Sequence, residues 1–267
     1  MSDPSARARS SWPVALVITL LLCAGLIVAL RSMNKSDDPT PAASPTKVDL
    51  SSLPFSSTDT RIPGAPHDKA QSLAPDGTVV HPRKVTALFT KPGGRAFAKI
   101  KPTQFGDTWL PVVAQAGNWV QVLLPSRPDG STGWMQNSRL DHAKTSYQIQ
   151  VHLASRQLQL FDGTTLVGSW SVAVGASGTP TPTGRTFLLG QVVDDGQSYS
   201  PVILPLGTHS ATLDSYGGGP GTVAIHGWPD ASVFGQAVSH GCIRVPSDAL
   251  ERLSTIPLGT AVLITNT

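Results

Sequence analysis

Residues 239–245 read Ser239-His240-Gly241-Cys242-Ile243-Arg244-Val245 and hold one of the chain's two cysteines; the other, Cys23, lies in an apolar run near the N-terminus. A thiol attacks only as its thiolate, so it needs a group to take its proton and donors for the charge that develops. Histidine is the usual base, because its pKa lies near operating pH. Two are close in sequence: His240, beside Gly241, and His226, which closes the segment Ala224-Ile225-His226-Gly227. If 239–245 is extended, residues two apart share a face, and His240 is expected to flank Cys242 directly. Gly241 between them lets the backbone approach a substrate closely, and successive N–H groups there can cradle an oxyanion. Taken singly, a lone cysteine such as Cys242 is more often a small buried apolar residue than a nucleophile. A zinc site through His226, His240 and Cys242 lacks the close CxxC or HxxxH pairs of structural zinc, so no metal is expected.

Around this stretch the pattern is that of strands. Tyr147, Ile149, Val151 and Leu153 alternate with polar residues, Leu158 and Leu160 repeat the alternation, and Asp162-Gly163 marks a hairpin turn into Trp170, Val172 and Val174. Residues 222–226 and 261–264 read as further strands, and Ser247 is expected to cap a short helix with Leu250 and Leu253 on one face. Upstream, 85–90, 109–113, 119–125 and 132–136 are short strand candidates separated by Pro-Gly and Asp-Gly turns. Several short strands in so small a span point to a small barrel.

The N-terminal part differs in kind. Arg7 and Arg9 precede Trp12-Pro13 and then the uncharged run 14–30, which ends at Arg31. The run is at the lower edge of the roughly 17–25 residues a spanning helix needs. It is long for a signal-peptide core and no small-x-small site closes it, so an uncleaved anchor is expected over 14–30. The arginines place residues 1–13 on the cytoplasmic side and the rest outside. Residues 31–81, rich in Pro, Ser, Thr and Asp, are expected to form a disordered tether. The exported part would then hold a single cysteine with no disulfide partner. A net charge of +3, with no basic stripe interleaved with aromatics, argues against nucleic acid as a partner. Glycine (25) and proline (23) are frequent enough to favour many turns over long helices.

The order AIHG, then SHGCIRV, resembles the L,D-transpeptidase family, exported cysteine enzymes that cross-link peptidoglycan. The match runs through His226, Ser239, Gly241, Cys242, Ile243 and Arg244. Thr181-Pro182-Thr183-Gly184-Arg185-Thr186-Phe187 resembles the family's TPxGxF segment, and Gly219-Pro220-Gly221 also fits. This resemblance covers about residues 145–267; residues 82–142 resemble the bacterial SH3-like domains carried by cell-wall enzymes.

The resemblance implies a mainly β chain: an SH3-like barrel (82–142), then an L,D-transpeptidase-type β-sandwich catalytic domain (145–267) with one or two short helices, behind the transmembrane anchor. It implies Cys242 as nucleophile and His226 as base, oriented by the carbonyl of Gly227. The N–H groups of His240, Gly241 and Cys242 would form the oxyanion hole. Ser239, Gly227, Arg244 and Tyr216 would line the substrate, Arg244 either meeting a substrate carboxylate or forming a structural ion pair. Donor and acceptor would be peptidoglycan stem peptides, with no cofactor, and carbapenems would acylate Cys242. The barrel would either bind glycan or peptide of the cell wall or simply space the catalytic domain, and the protein would sit in the cell membrane by a single span with its catalytic domain on the wall side. The same site would serve an L,D-carboxypeptidase if water replaced the amine, and a non-catalytic wall-binding protein is the remaining alternative. A papain-like endopeptidase places its cysteine before its histidine, the reverse of the order here.

Overall fold

The computed structural model describes residues 48–216 and 219–267. The expected cytoplasmic segment, the anchor at 14–30 and the start of the tether lie outside the described residues. Among the described residues no helix is long and apolar enough to cross a membrane.

The elements in chain order are β1 (Thr78–Pro82), β2 (Thr86–Phe89), β3 (Ala96–Ile100), β4 (Leu110–Ala116), β5 (Trp119–Leu123), β6 (Thr132–Gln136) and β7 (Leu140–Lys144). There follow β8 (Tyr147–His152), β9 (Gln157–Asp162), β10 (Thr165–Ser171), β11 (Val174–Gly175), β12 (Gly184–Phe187), β13 (Ile203–His209) and β14 (Thr222–Gly227). The chain closes with β15 (Ala237–Ser239), β16 (Ile243–Val245), the helix α1 (Ser247–Ser254) and β17 (Ala261–Thr265). The residue before α1 is Pro246, which offers no side-chain cap; Ser247 is the first helical residue rather than the cap the sequence pointed to.

Strands β1 to β7 form one antiparallel sheet in the order β3-β2-β6-β5-β4-β1-β7. Its core includes Leu88, Ile100, Leu110, Val122 and Met135. Phe187 and Leu189, from beyond this sheet, complete that core, so the two halves of the chain share buried surface.

The second half packs a mixed sheet, β10-β9-β8-β17-β12, against a smaller one, β13-β14-β16. Ile149, Val151, Leu158 and Leu160 of the first face Leu204, Leu206, Val223, Ile225 and Ile243 of the second in one core. The alternation read over 147–153 is the inward face of β8: Ile149 and Val151 are buried while Gln148 and Gln150 are not. Ala249, Leu250 and Leu253 of α1 lie in the same core. Among the described residues the fold is mainly β with one α-helix, as the sequence pattern indicated.

The tether does not hold over residues 48–81. Ser56 N–H donates to Lys99 O (2.7 Å), Ile62 N–H to Arg127 O (2.8 Å) and Thr132 N–H to Pro66 O (2.7 Å). Ile62 is buried in the core of the first sheet, and β1 itself lies inside the expected tether. Asp68 forms a bidentate pair with Arg185, Oδ2 to Nε at 2.9 Å and Oδ1 to Nη2 at 2.7 Å, with both side chains almost wholly buried. Apart from β1, this Pro-rich segment lies along the domain through isolated bonds that its composition does not advertise.

Candidate active site

Strands β14 and β16 run parallel as neighbours, with Ile225 opposite Ile243 and His226 opposite Arg244. Cys242 immediately precedes β16, so the adjoining strands place it beside the strand that carries His226. The N–H of Ala224 is directed at the Cys242 thiol. His226 is buried, and its Nδ1 donates to the carbonyl of Gly227 at 2.8 Å. That bond leaves Nε2 as the basic nitrogen. Gly227 is held in turn: its N–H donates to Ser200 Oγ (2.8 Å), while Ser200 Oγ donates to Val202 O (2.5 Å).

The cysteine loop is not an extended strand. β15 ends at Ser239, β16 begins at Ile243, and Gly241 between them has φ +115, a conformation that favours glycine. Ser239 Oγ donates to Cys242 O (2.6 Å) and accepts from Gly241 N–H (3.1 Å). Thr181 Oγ1 donates to Gly241 O (2.9 Å), and Thr179 Oγ1 donates to Ser239 O (2.9 Å). The segment that resembled TPxGxF therefore buttresses the loop. Three expectations change as a result. The Gly241 N–H is committed to Ser239 and so is not free for the oxyanion hole expected there. His240 does not flank Cys242 as a strand neighbour; it is exposed, and its ring stacks on Tyr216 with centroids 4.8 Å apart. Ser239 is a buried buttress of the loop rather than a surface a substrate could touch.

The electrostatics describe a neutral pair. Burial pushes the His226 pKa down to about 4; the Gly227 carbonyl acts in the opposite sense and Arg244 in the same one. Burial pushes the Cys242 thiol up, against the Ala224 N–H and Arg244, which favour the thiolate. At neutral pH the thiol keeps its proton and His226 is uncharged.

Aromatic residues that the sequence reading passed over surround the base. Tyr199 meets His226 edge-on at 5.0 Å, and Trp228 lies 6.0 Å from it. Arg244 Cζ sits 3.6 Å from the Trp228 ring centroid, and Arg244 forms no salt bridge among the described residues. Its Nε is buried without a hydrogen-bond partner. Trp228 follows AIHG directly and was legible beside the histidine; Tyr199 and Ser200, distant in sequence, carried no signal. A cavity of about 510 Å³ opens beyond Tyr199, lined also by Val202, Trp228, Leu250 and Glu251. No group of three or more His, Cys, Asp or Glu side chains among the described residues is arranged to hold a metal ion.

Residues 146–264 match the YkuD family model, described as the L,D-transpeptidase catalytic domain. A Bacillus licheniformis protein that carries the name L,D-transpeptidase YkuD is 36% identical over 175 residues, which span 62% of this chain and 97% of that protein. Its Bacillus subtilis namesake is 28% identical over 166 residues, spanning 60% of this chain and 94% of its own length. Among solved structures, L,D-transpeptidase 3 from Mycobacterium tuberculosis is 14% identical with a TM-score of 0.40, covering 58% of this chain and 97% of that one. The catalytic domain of an L,D-transpeptidase from E. faecium is 21% identical with a TM-score of 0.34, covering 45% of this chain and 96% of that one.

Proposed function

The chain belongs to the L,D-transpeptidase family, and from that premise we propose that it forms 3→3 peptidoglycan cross-links through a thioester on Cys242. The observation that carries this is the buried His226, oriented by Gly227 on the strand beside the thiol. As Sγ attacks the carbonyl between the third, diamino-acid residue and the terminal D-Ala of a tetrapeptide stem, His226 Nε2 takes the thiol proton. The amides of His240 and Cys242 hold the oxyanion. His226 then gives its proton to the departing D-Ala amine, the C–N bond breaks and a thioester remains. The side-chain amine of a second stem attacks that thioester, His226 takes its proton, and the Cys242 thiol is restored. The energy of the first amide is kept in the thioester, so the exchange needs no nucleotide.

Arg244, stacked on Trp228, presents a cation beside the thiol, and its charge suits a substrate carboxylate. Tyr216 and Gly227 border the same site. A β-lactam of the carbapenem class would acylate the same sulfur. The first sheet is assigned as an SH3-like module that meets the cell wall, and residues 14–30 as the anchor that leaves the catalytic domain on the wall side.

Intact-protein mass spectrometry with a disaccharide-tetrapeptide donor, then with an added amine acceptor, tests the proposal. The expected result is a mass gain at Cys242 with loss of D-Ala, followed by cross-linked product, both absent in Cys242→Ala. Free tripeptide without cross-linked product would make the protein an L,D-carboxypeptidase, and turnover by Cys242→Ala would sink the thioester mechanism altogether.

A further inference from the structure

The loop between β5 and β6 reaches out of the first sheet to the connection between β13 and β14. There the Arg127 guanidinium donates from Nη1 to Ser210 O (3.1 Å), and from Nη2 to Leu213 O (3.2 Å) and Pro220 O (2.8 Å). Ser210 and Leu213 lie on one leg of that connection and Pro220 on the other. Two residues along, Asp129 accepts from Thr208 Oγ1 (2.6 Å), from His209 N–H (3.1 Å) and from His209 Nδ1 (2.8 Å). His209 is wholly buried, and its Nε2 faces Thr58 O at 2.9 Å. The Arg127 backbone is anchored as well, its N–H to Thr60 O (2.9 Å) and its carbonyl to Ile62 N–H (2.8 Å). At Gly221 (φ +69) an added Cβ would lie 2.2 Å from Leu213 O and 3.0 Å from Arg127 Nη2, so the legs close tightly around the guanidinium. Further along, Tyr216 and Gly219 exchange backbone hydrogen bonds at 3.0 Å each, and Tyr216 lays its ring on His240.

From this chain of contacts we infer that the first sheet is a working part of the catalytic cleft. Arg127 is a positioning residue that acts through the connection bearing Tyr216. It fixes the aromatic wall beside Cys242 against which the donor stem peptide lies, which rests on the transpeptidase reading above. Arginine suits the task because its planar fork can address carbonyls on both legs at once, whereas a lysine ammonium donates from a single point. Cys242 and His226 are held separately, by β14, β16 and the Ser239 and Thr181 contacts. Loss of the clamp should therefore weaken substrate capture and spare the nucleophile.

The test uses the full chain with Arg127→Ala, Arg127→Lys, Tyr216→Ala and the Arg127→Ala/Tyr216→Ala double variant. Arg127→Ala is expected to raise the donor KM about tenfold while kcat changes by less than about threefold, with Arg127→Lys in between. Alkylation of Cys242 by iodoacetamide should stay within about twofold of the parent, since the thiol's own partners are untouched. The double variant should be no worse than the poorer single one, because both act on the same wall. In NMR spectra the ring-current shift that Tyr216 imposes on the His240 ring protons should vanish alike in Arg127→Ala and Tyr216→Ala. Additive KM effects, or a His240 signal unmoved by Arg127→Ala, would overturn the inference. So would an alkylation rate that falls as KM rises. If Arg127→Ala does not fold, Arg127→Lys carries the same comparisons. If the parent protein fails to turn over donor, the transpeptidase reading falls, and the His240 signal alone decides the positioning role.

Discussion

The neutral Cys242–His226 pair makes a prediction about acid pH that separates it from a preformed thiolate–imidazolium pair. His226 titrates near pH 4 because burial disfavours its charged form. The free enzyme's kcat/KM should follow neutral His226 on the acid side and the protonated thiol on the alkaline side. With a pKa of about 4, roughly nine-tenths of His226 is neutral at pH 5; with the ordinary value near 6.5, only about 3% would be. The sign follows from the depressed value: activity is full above about pH 5 and is lost only as pH falls through about 4. Donor turnover at limiting substrate, measured from pH 3.5 to 10, should therefore drop by about a tenth between pH 7.5 and 5, not by about thirtyfold. Iodoacetamide alkylation of Cys242, which reads the thiolate directly, should climb only on the alkaline side, because burial holds the thiol's pKa up. An acid limb centred near 6.5, or alkylation already at its plateau at pH 6, would refute the neutral pair.

Other contacts lead to separate measurements. Asp68→Ala strands the buried Arg185 guanidinium, and removal of one partner from such a pair costs about 3–5 kcal/mol. Thermal unfolding should show a Tm lower by roughly 6–20 °C; an unchanged Tm would mean that residues 48–77 do not dock as described. Ser200→Ala removes the acceptor of the buried Gly227 N–H, whose peptide aims His226. An unsatisfied donor of this kind costs about 1–3 kcal/mol, so kcat should fall about tenfold with the donor KM held, and steady-state kinetics that show both constants unchanged would refute it.

The amino-acid sequence by itself determined the family and the mainly β class of fold, because both are written in short-range patterns. Period-two alternation gave away β8, and a cysteine set between His240, Gly241 and Arg244, with His226 upstream, carried the resemblance to the family. The tertiary structure decided what depends on pairing between distant segments. Asp68 meets Arg185, Phe187 crosses into the core of the first sheet, and Ser200 reaches under Gly227. None of these leaves a local signature, since a Pro-rich stretch reads the same whether solvated or laid along a domain. The oxyanion geometry was likewise beyond the motif. A positive φ at Gly241 turned its N–H onto Ser239 and carried His240 out to Tyr216. Sequence names which groups are available, but the backbone torsion at one glycine set which partners the cysteine loop meets.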